Sequence, residues 1–220
     1  MDLSTVRFGV GSHSATNAPT GHRDLCIMEA VAFVAGEPWS DTPTCASPVI
    51  AAFLRTWQDA LSDEDRDRLL PAAVWVPRLV GSRGDDATEE RRAYLALDWL
   101  IRVHAPAWLD LVPSLASHAA ALRALPEVVD LSTAQDADTP ICAARDAARA
   151  AARDAARDAV LDAARDAAWD AVLDAVAWAA ARDAERDALH PTVETLQKSA
   201  LDLLDRMLAC GEHRREEDKP

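Results

Sequence analysis

The chain has 220 residues, half of them apolar, and carries a formal net charge of -14. That length suffices for one substantial core, or for one domain with a long helical extension. A field of that sign repels nucleic-acid phosphates and anionic membranes, so neither is an expected partner.

No stretch is long and apolar enough to suggest a membrane span, and MDLSTVRFGV lacks a cationic region followed by a long apolar core, so no secretory signal is expected. Cys26, Cys45, Cys142 and Cys210 lie far apart and in no CxxC pattern. Reduced thiols in a cytoplasmic protein are therefore the default expectation.

Residues 1–20 are rich in Ser, Thr, Gly and His without periodicity and are expected to form a flexible arm. The first helix is predicted from Arg23 to Ala35, with Ile27, Val31 and Val34 as its apolar line and Gly36 and Pro38 ending it. A proline-stiffened loop, GEPWSDTPTCAS, follows. Ser47-Pro48 combines a hydroxyl cap with proline at the first helical position. Val49, Ile50, Phe53, Leu54 and Trp57 then form a wide apolar stripe.

Ser62 with Asp65 resembles a capping box for a short helix ending near Leu70. Pro71 and Pro77 bracket AAVWV, which reads as either a short helix or an extended packed segment. Gly81 to Asp86 is a turn-rich linker. Asp86 with Glu89 caps the next helix, ERRAYLALDWLIRVH, in which Asp98 is expected to pair with Arg102. Pro106, Pro113 and Pro126 divide the following stretch into short helices. Thr139-Pro140 opens a long alanine-rich helix, and Pro191 opens the last one, striped by Val193, Leu196, Leu201, Leu204 and Leu208. The tail GEHRREEDKP is expected to be disordered.

Between Ile141 and Leu189, 22 of 49 residues are alanine and none is glycine or proline, a strong helix signal. The motif repeats every four residues, as in ARDA-ARAA-ARDA-ARDA-VLDA. Each tetrad drifts about 40° around a straight helix, so its aspartates circle the axis and no coiled-coil seam results. Pairs such as Asp146 with Arg149, Asp154 with Arg157 and Asp162 with Arg165 offer about 0.2 to 0.5 kcal/mol each. Leu161, Trp169, Val172 and Val176 fall on one side, with Val160, Trp178 and Leu189 nearly opposite. A single helix over this stretch would run about 74 Å, which implies a bend, a break or pairing with another subunit.

His22, Cys26 and Glu29 would align at i, i+4 and i+7 on a helix beginning by His22, with Asp41 and Cys45 in the loop beyond. His22, Cys26, Glu29 and Cys45 make a donor set for tetrahedral zinc, though their spacing follows no standard pattern and no cofactor is otherwise expected. The same region supports a catalytic reading with Cys45, Glu29 and Asp41: Cys45 precedes a helix whose free N–H groups would favour the thiolate, and His22 or His13 would be the base. Arg78, Arg83 and Arg91, with Arg92, surround the Gly81–Gly84 turn as an anion-binding set, opposed by neighbouring acids. No phosphate-binding, zinc-protease or hydrolase-elbow motif occurs.

The pattern therefore predicts an all-α, multi-helix bundle with a long Ala/Arg/Asp-rich helix. Its expected divisions are an arm over 1–20, short proline-delimited helices over 21–137, the long and final helices over 138–210, and a tail over 211–220. The leading expectation is a structural or protein-interaction module forming a homo-oligomer. The alternative is a helical enzyme, small-ligand or metal-binding protein with its site between the first helix and the 38–48 loop.

Overall fold

The computed structural model describes residues 1–14, 22–166 and 174–217, with side chains described outside 158–186 and 212–217. The fold is all-α, and no strand occurs among the described residues beyond an isolated bridge between Arg7 and His22. None of the described helices is long and apolar enough to cross a membrane. The chain divides into two compact units, Met1–Ala96 with Leu201–Pro220, and Leu97–Ala200.

In the first unit, α1 spans Ile27–Ala35 and buries every residue from Ile27 to Ala32. It starts four residues later than the sequence suggests. Arg23 adopts a left-handed φ of 60°, and the Gly9 N–H bonds the Leu25 carbonyl at 2.9 Å, so this segment pairs with the N-terminal strap instead of coiling. His22 is therefore not on the helix, and its alignment with Cys26 and Glu29 is lost. Val34, expected in the stripe, is 44 % exposed. Gly36 ends α1 at a φ of 72°, a conformation that costs glycine little.

Helix α2 spans Pro48–Ala60, with the Ser47 hydroxyl accepting from the Ile50 N–H. Helix α3, Asp63–Leu69, starts at Ser62 as predicted. AAVWV resolves as helical: α4 covers Ala72–Leu79 and carries Pro77 inside it. Both α2 and α4 pack on α1. Helix α5, Asp86–Trp99, is capped by Asp85, one residue before the predicted cap, through the Thr88 N–H at 2.9 Å.

Within the stretch expected to form a flexible arm, residues 1–14 form a strap that contributes to the core, and 15–20 lie outside the described residues. Val6 and Phe8 are buried, and the Arg66 guanidinium, 1 % exposed, holds the Phe8 carbonyl together with those of Gln58 and Leu61 at the end of α2. Carbonyls orphaned at a helix terminus need such donors, and a buried guanidinium needs such acceptors.

In the second unit, α5 passes into a π-helical turn at Leu100–His104 and then α6, Ala105–Leu109. Pro106 has no N–H for the Arg102 carbonyl, and a π turn is one way a helix absorbs that defect. Arg102 grips Asp98 with two bonds of 2.6 and 2.9 Å, the expected pair, while the Val128 N–H also donates to Asp98. Helix α7 covers Ala116–Arg123, α8 covers Leu131–Asp136 and α9 covers Asp138–Asp166. Helices α7 and α8 both pack on α9.

Helix α10 runs from Asp174 to Glu217. It passes straight through Pro191, which therefore does not open a separate helix, and it continues into the tail expected to be disordered. The Thr195 hydroxyl donates to the Pro191 carbonyl at 2.8 Å, supporting the turn after the proline. Leu203 and Met207 join Leu196, Leu204 and Leu208 as buried residues, whereas Leu201 is only half-buried. Whether one helix joins α9 to α10, and how Leu161, Trp169, Val172, Val176 and Trp178 pack, lie outside the described residues, as does Asp162 with Arg165.

Candidate functional site

Two buried side chains on neighbouring helices build the site's floor. Gln58 of α2, fully buried, accepts the Ile27 N–H at 2.7 Å and donates to the Gly9 carbonyl at 2.9 Å. It thus caps α1 and fastens the strap with one amide. Glu29 of α1, 1 % exposed, accepts from the Cys26 N–H at 2.6 Å and the His13 N–H at 2.5 Å, and lies 3.0 Å from His13 Nδ1. The Trp39 indole N–H closes the latch on the His13 carbonyl at 2.7 Å. A missing Cβ makes this possible: one added at Gly9 would sit 2.3 Å from the Arg23 carbonyl oxygen and 2.8 Å from His13 Nε2.

Beside this floor lies a cleft of about 240 Å³. Gly11 and Ser12 of the strap form one wall, and Cys26 forms part of the base. Asp41 of the loop and Arg55, Thr56 and Asp59 of α2 complete the lining, with Arg55 Nη1 donating to the Asp41 carbonyl at 3.1 Å. Glu37 holds the loop in shape by accepting from the Thr44 N–H, the Thr44 hydroxyl and the Cys45 N–H. The Thr44 hydroxyl, with help from the backbone donors, keeps the Glu37 carboxyl below its ordinary range. The strap wall is held by Asp59, whose carboxylate accepts the Gly11 N–H at 2.9 Å.

Of the residues singled out from sequence, Cys26 and Asp41 line this cleft, while Glu29 sits outside its lining, engaged in the latch. The thiols are poorly placed for nucleophilic work. Burial, reinforced by the Glu29 carboxylate, pushes Cys26 up to about 12. Burial also raises Cys45, and the nearby Glu37 carboxylate adds to that, opposite to the lowering expected from the helix N-terminus. Both are thiols, not thiolates, at neutral pH.

His22 is exposed at the bridge with Arg7. Among the described residues, no group of three or more His, Cys, Asp or Glu side chains is placed to hold a metal ion, so the zinc donors His22, Cys26, Glu29 and Cys45 are not brought together.

The arginines also take separate roles. Arg78 stacks over Trp75 at 4.6 Å and pairs with Asp205 at 2.6 Å. The Arg83 backbone N–H bonds the Cys45 carbonyl at 3.0 Å, and Arg91 is exposed on α5. Arg92 is buried among the Met207 carbonyl, the Ser82 carbonyl and Glu89. Each of these arginines thus has its own surroundings.

Sequence reading missed Arg55, Thr56, Gln58 and Asp59 as site residues. Their signal was present: four polar residues within one turn of an otherwise apolar helix. The apolar stripe of this helix carries no information about which neighbours its polar residues meet. The two Asp-Thr-Pro-x-Cys segments also differ in conformation, since that at Asp41 is a loop whereas that at Asp138 is the first turn of α9.

Comparison with protein-family models, curated proteins and solved structures finds no match to this chain.

Proposed function

We propose that this protein is a helical small-ligand binder whose site is the cleft between α1, the 38–48 loop and α2. The observation that carries this reading is the contrast between floor and walls. Glu29 and Gln58 are committed to holding the strap, whereas the walls present carboxylate, guanidinium and hydroxyl groups to one half-open cleft. Binding sites characteristically pair a preformed concavity with a few converging polar groups. Protonated thiols favour noncovalent binding over attack by Cys26 or Cys45. With four free cysteines and a net charge of -14, a reducing cytoplasmic setting and the absence of nucleic-acid or membrane partners fit the same reading.

The test is a thermal-shift screen of polar metabolites against wild type and Thr56→Trp, which fills the cleft from an exposed position on α2. A ligand that raises the melting temperature of wild type but not of the variant is expected. Equal shifts in both would remove the cleft from consideration.

A second reading, self-association, has its own observation. From Arg145 to Arg157 the side chains of α9 are exposed or half-exposed on every side. Asp146–Arg149 at 3.9 Å and Asp154–Arg157 at 3.5 Å are solvent-exposed pairs of little energetic weight. Alanine faces let a second helix approach closely, so another copy or a protein partner suits this surface.

A further inference from the structure

We infer that the cleft takes a small zwitterion, a molecule carrying both a carboxylate and an ammonium group, as α-amino acids do. This rests on the ligand-binding reading above and adds the chemical class.

The inference comes from an ion pair that does not close. Arg55 Nη1 donates to the main-chain carbonyl of Asp41 at 3.1 Å, yet stays 3.8 Å from the Asp41 carboxylate. That distance is too long for a hydrogen bond. A guanidinium has five N–H donors in a planar fork suited to a carboxylate, and here only one is directed to the protein among the described residues. Arg55 is also only one-third exposed, so the group is part-desolvated, with one hydrogen bond to the described residues.

The opposite charge stands four residues along the same helix. Asp59 is the penultimate residue of α2, where the helix dipole disfavours a carboxylate. One of its oxygens is engaged by the Gly11 N–H at 2.9 Å and, at 3.4 Å, by Gln58 Nε2. Its other oxygen accepts no hydrogen bond from the described residues, and Asp41 contributes a second carboxylate to the cleft lining.

The three charges sum to one excess negative, which opposes a simple anion. They also include a guanidinium fork, held to Asp41 only by a loose ion pair and one carbonyl bond, that a simple amine would not engage. A ligand carboxylate on the Arg55 fork and an ammonium between Asp59 and Asp41 gives each charged group an oppositely charged neighbour, with the site's one excess negative charge retained. Thr56, whose hydroxyl hydrogen is given to the Ala52 carbonyl at 3.1 Å, presents an acceptor to the same ammonium. Ser12 offers a hydroxyl from the strap.

The experiment is titration calorimetry of the full chain with each of the twenty standard amino acids, with acetate and methylamine as the two half-ligands and glycerol as a neutral probe. At least one amino acid is expected to bind saturably, with both half-ligands at least ten-fold weaker. Arg55→Gln and Asp59→Asn should each weaken that binding at least ten-fold, while Arg55→Lys restores part of it. Asp59→Asn retains an oxygen for the Gly11 N–H, and an unchanged melting temperature separates lost binding from lost fold. If a half-ligand, glycerol or a neutral metabolite binds in a Thr56→Trp-sensitive way and no amino acid does, the zwitterion assignment is overturned while the cleft reading stands. If neither these probes nor the metabolite screen gives Thr56→Trp-sensitive binding, both fall.

Discussion

A carboxylate as enclosed as that of Glu29 is stable only where donors replace its lost hydration, and the strap and the α1 terminus supply them. Converting Glu29 to Gln keeps the shape but turns an –NH2 toward groups that themselves donate. We expect Glu29→Gln to lower stability by about 2 to 4 kcal/mol, read as a drop in the urea midpoint. An unchanged midpoint would show that the latch is not a stabilising element.

His104 makes a different residue-scale prediction. Its ring lies 5.0 Å from that of Trp99, the Trp108 indole N–H donates to its Nε2 at 3.2 Å, and burial lowers its pKa below 6.5. The unfolded chain therefore binds this proton more readily than the folded one. The resulting stability is present above pH 6.5 and is lost as pH falls through the lowered folded value. Denaturant midpoints and tryptophan emission compared at pH 7.5 and pH 5 should show this, and His104→Gln should remove that part of the dependence. Identical pH profiles for the two proteins would rule it out.

At the scale of elements, the end of α10 shows how a local preference can be overruled. Glycine inside a helix is worse than alanine by about 1 kcal/mol, so Gly211→Ala reads as stabilising from sequence. Yet a Cβ at Gly211 would stand 2.7 Å from Arg92 Nη2, and that guanidinium is held on the Met207 carbonyl, the Ser82 carbonyl and Glu89. Moving it breaks buried, charge-assisted bonds. Gly211→Ala should therefore lower the melting temperature, and an increase would show that Arg92 shifts freely. Such long-range ties were not legible in sequence, because Arg92 and Met207 are separated by more than a hundred residues. Caps were legible: Ser47, Ser62 and Gly36 all act where their residue types place them, since each bonds within its own turn.

At the scale of the whole molecule, the exposed length of α9 bears on assembly. The described side chains from Arg145 to Arg157 cannot draw on a buried apolar face of their own, and isolated helices are marginal without packing. Light scattering on eluting protein should give a mass above the monomer. Ala148→Glu with Ala155→Glu, on one side of the helix, should return it to the monomer with helicity retained. A wild-type monomer at every concentration would exclude association through this helix.

The sequence by itself determined the helical class, the capped starts of α2 and α3 and the acidic, thiol-bearing character, because propensity, capping and charge act within a few residues. Tertiary structure alone decided that the strap enters the core, that His22 leaves the first helix, that α10 continues through Pro191, and that Arg55, Asp59 and Asp41 line one cleft. Those outcomes depend on desolvation and on partners distant in the chain. A residue type shows which bonds a group can make, but only the packed fold selects which are made.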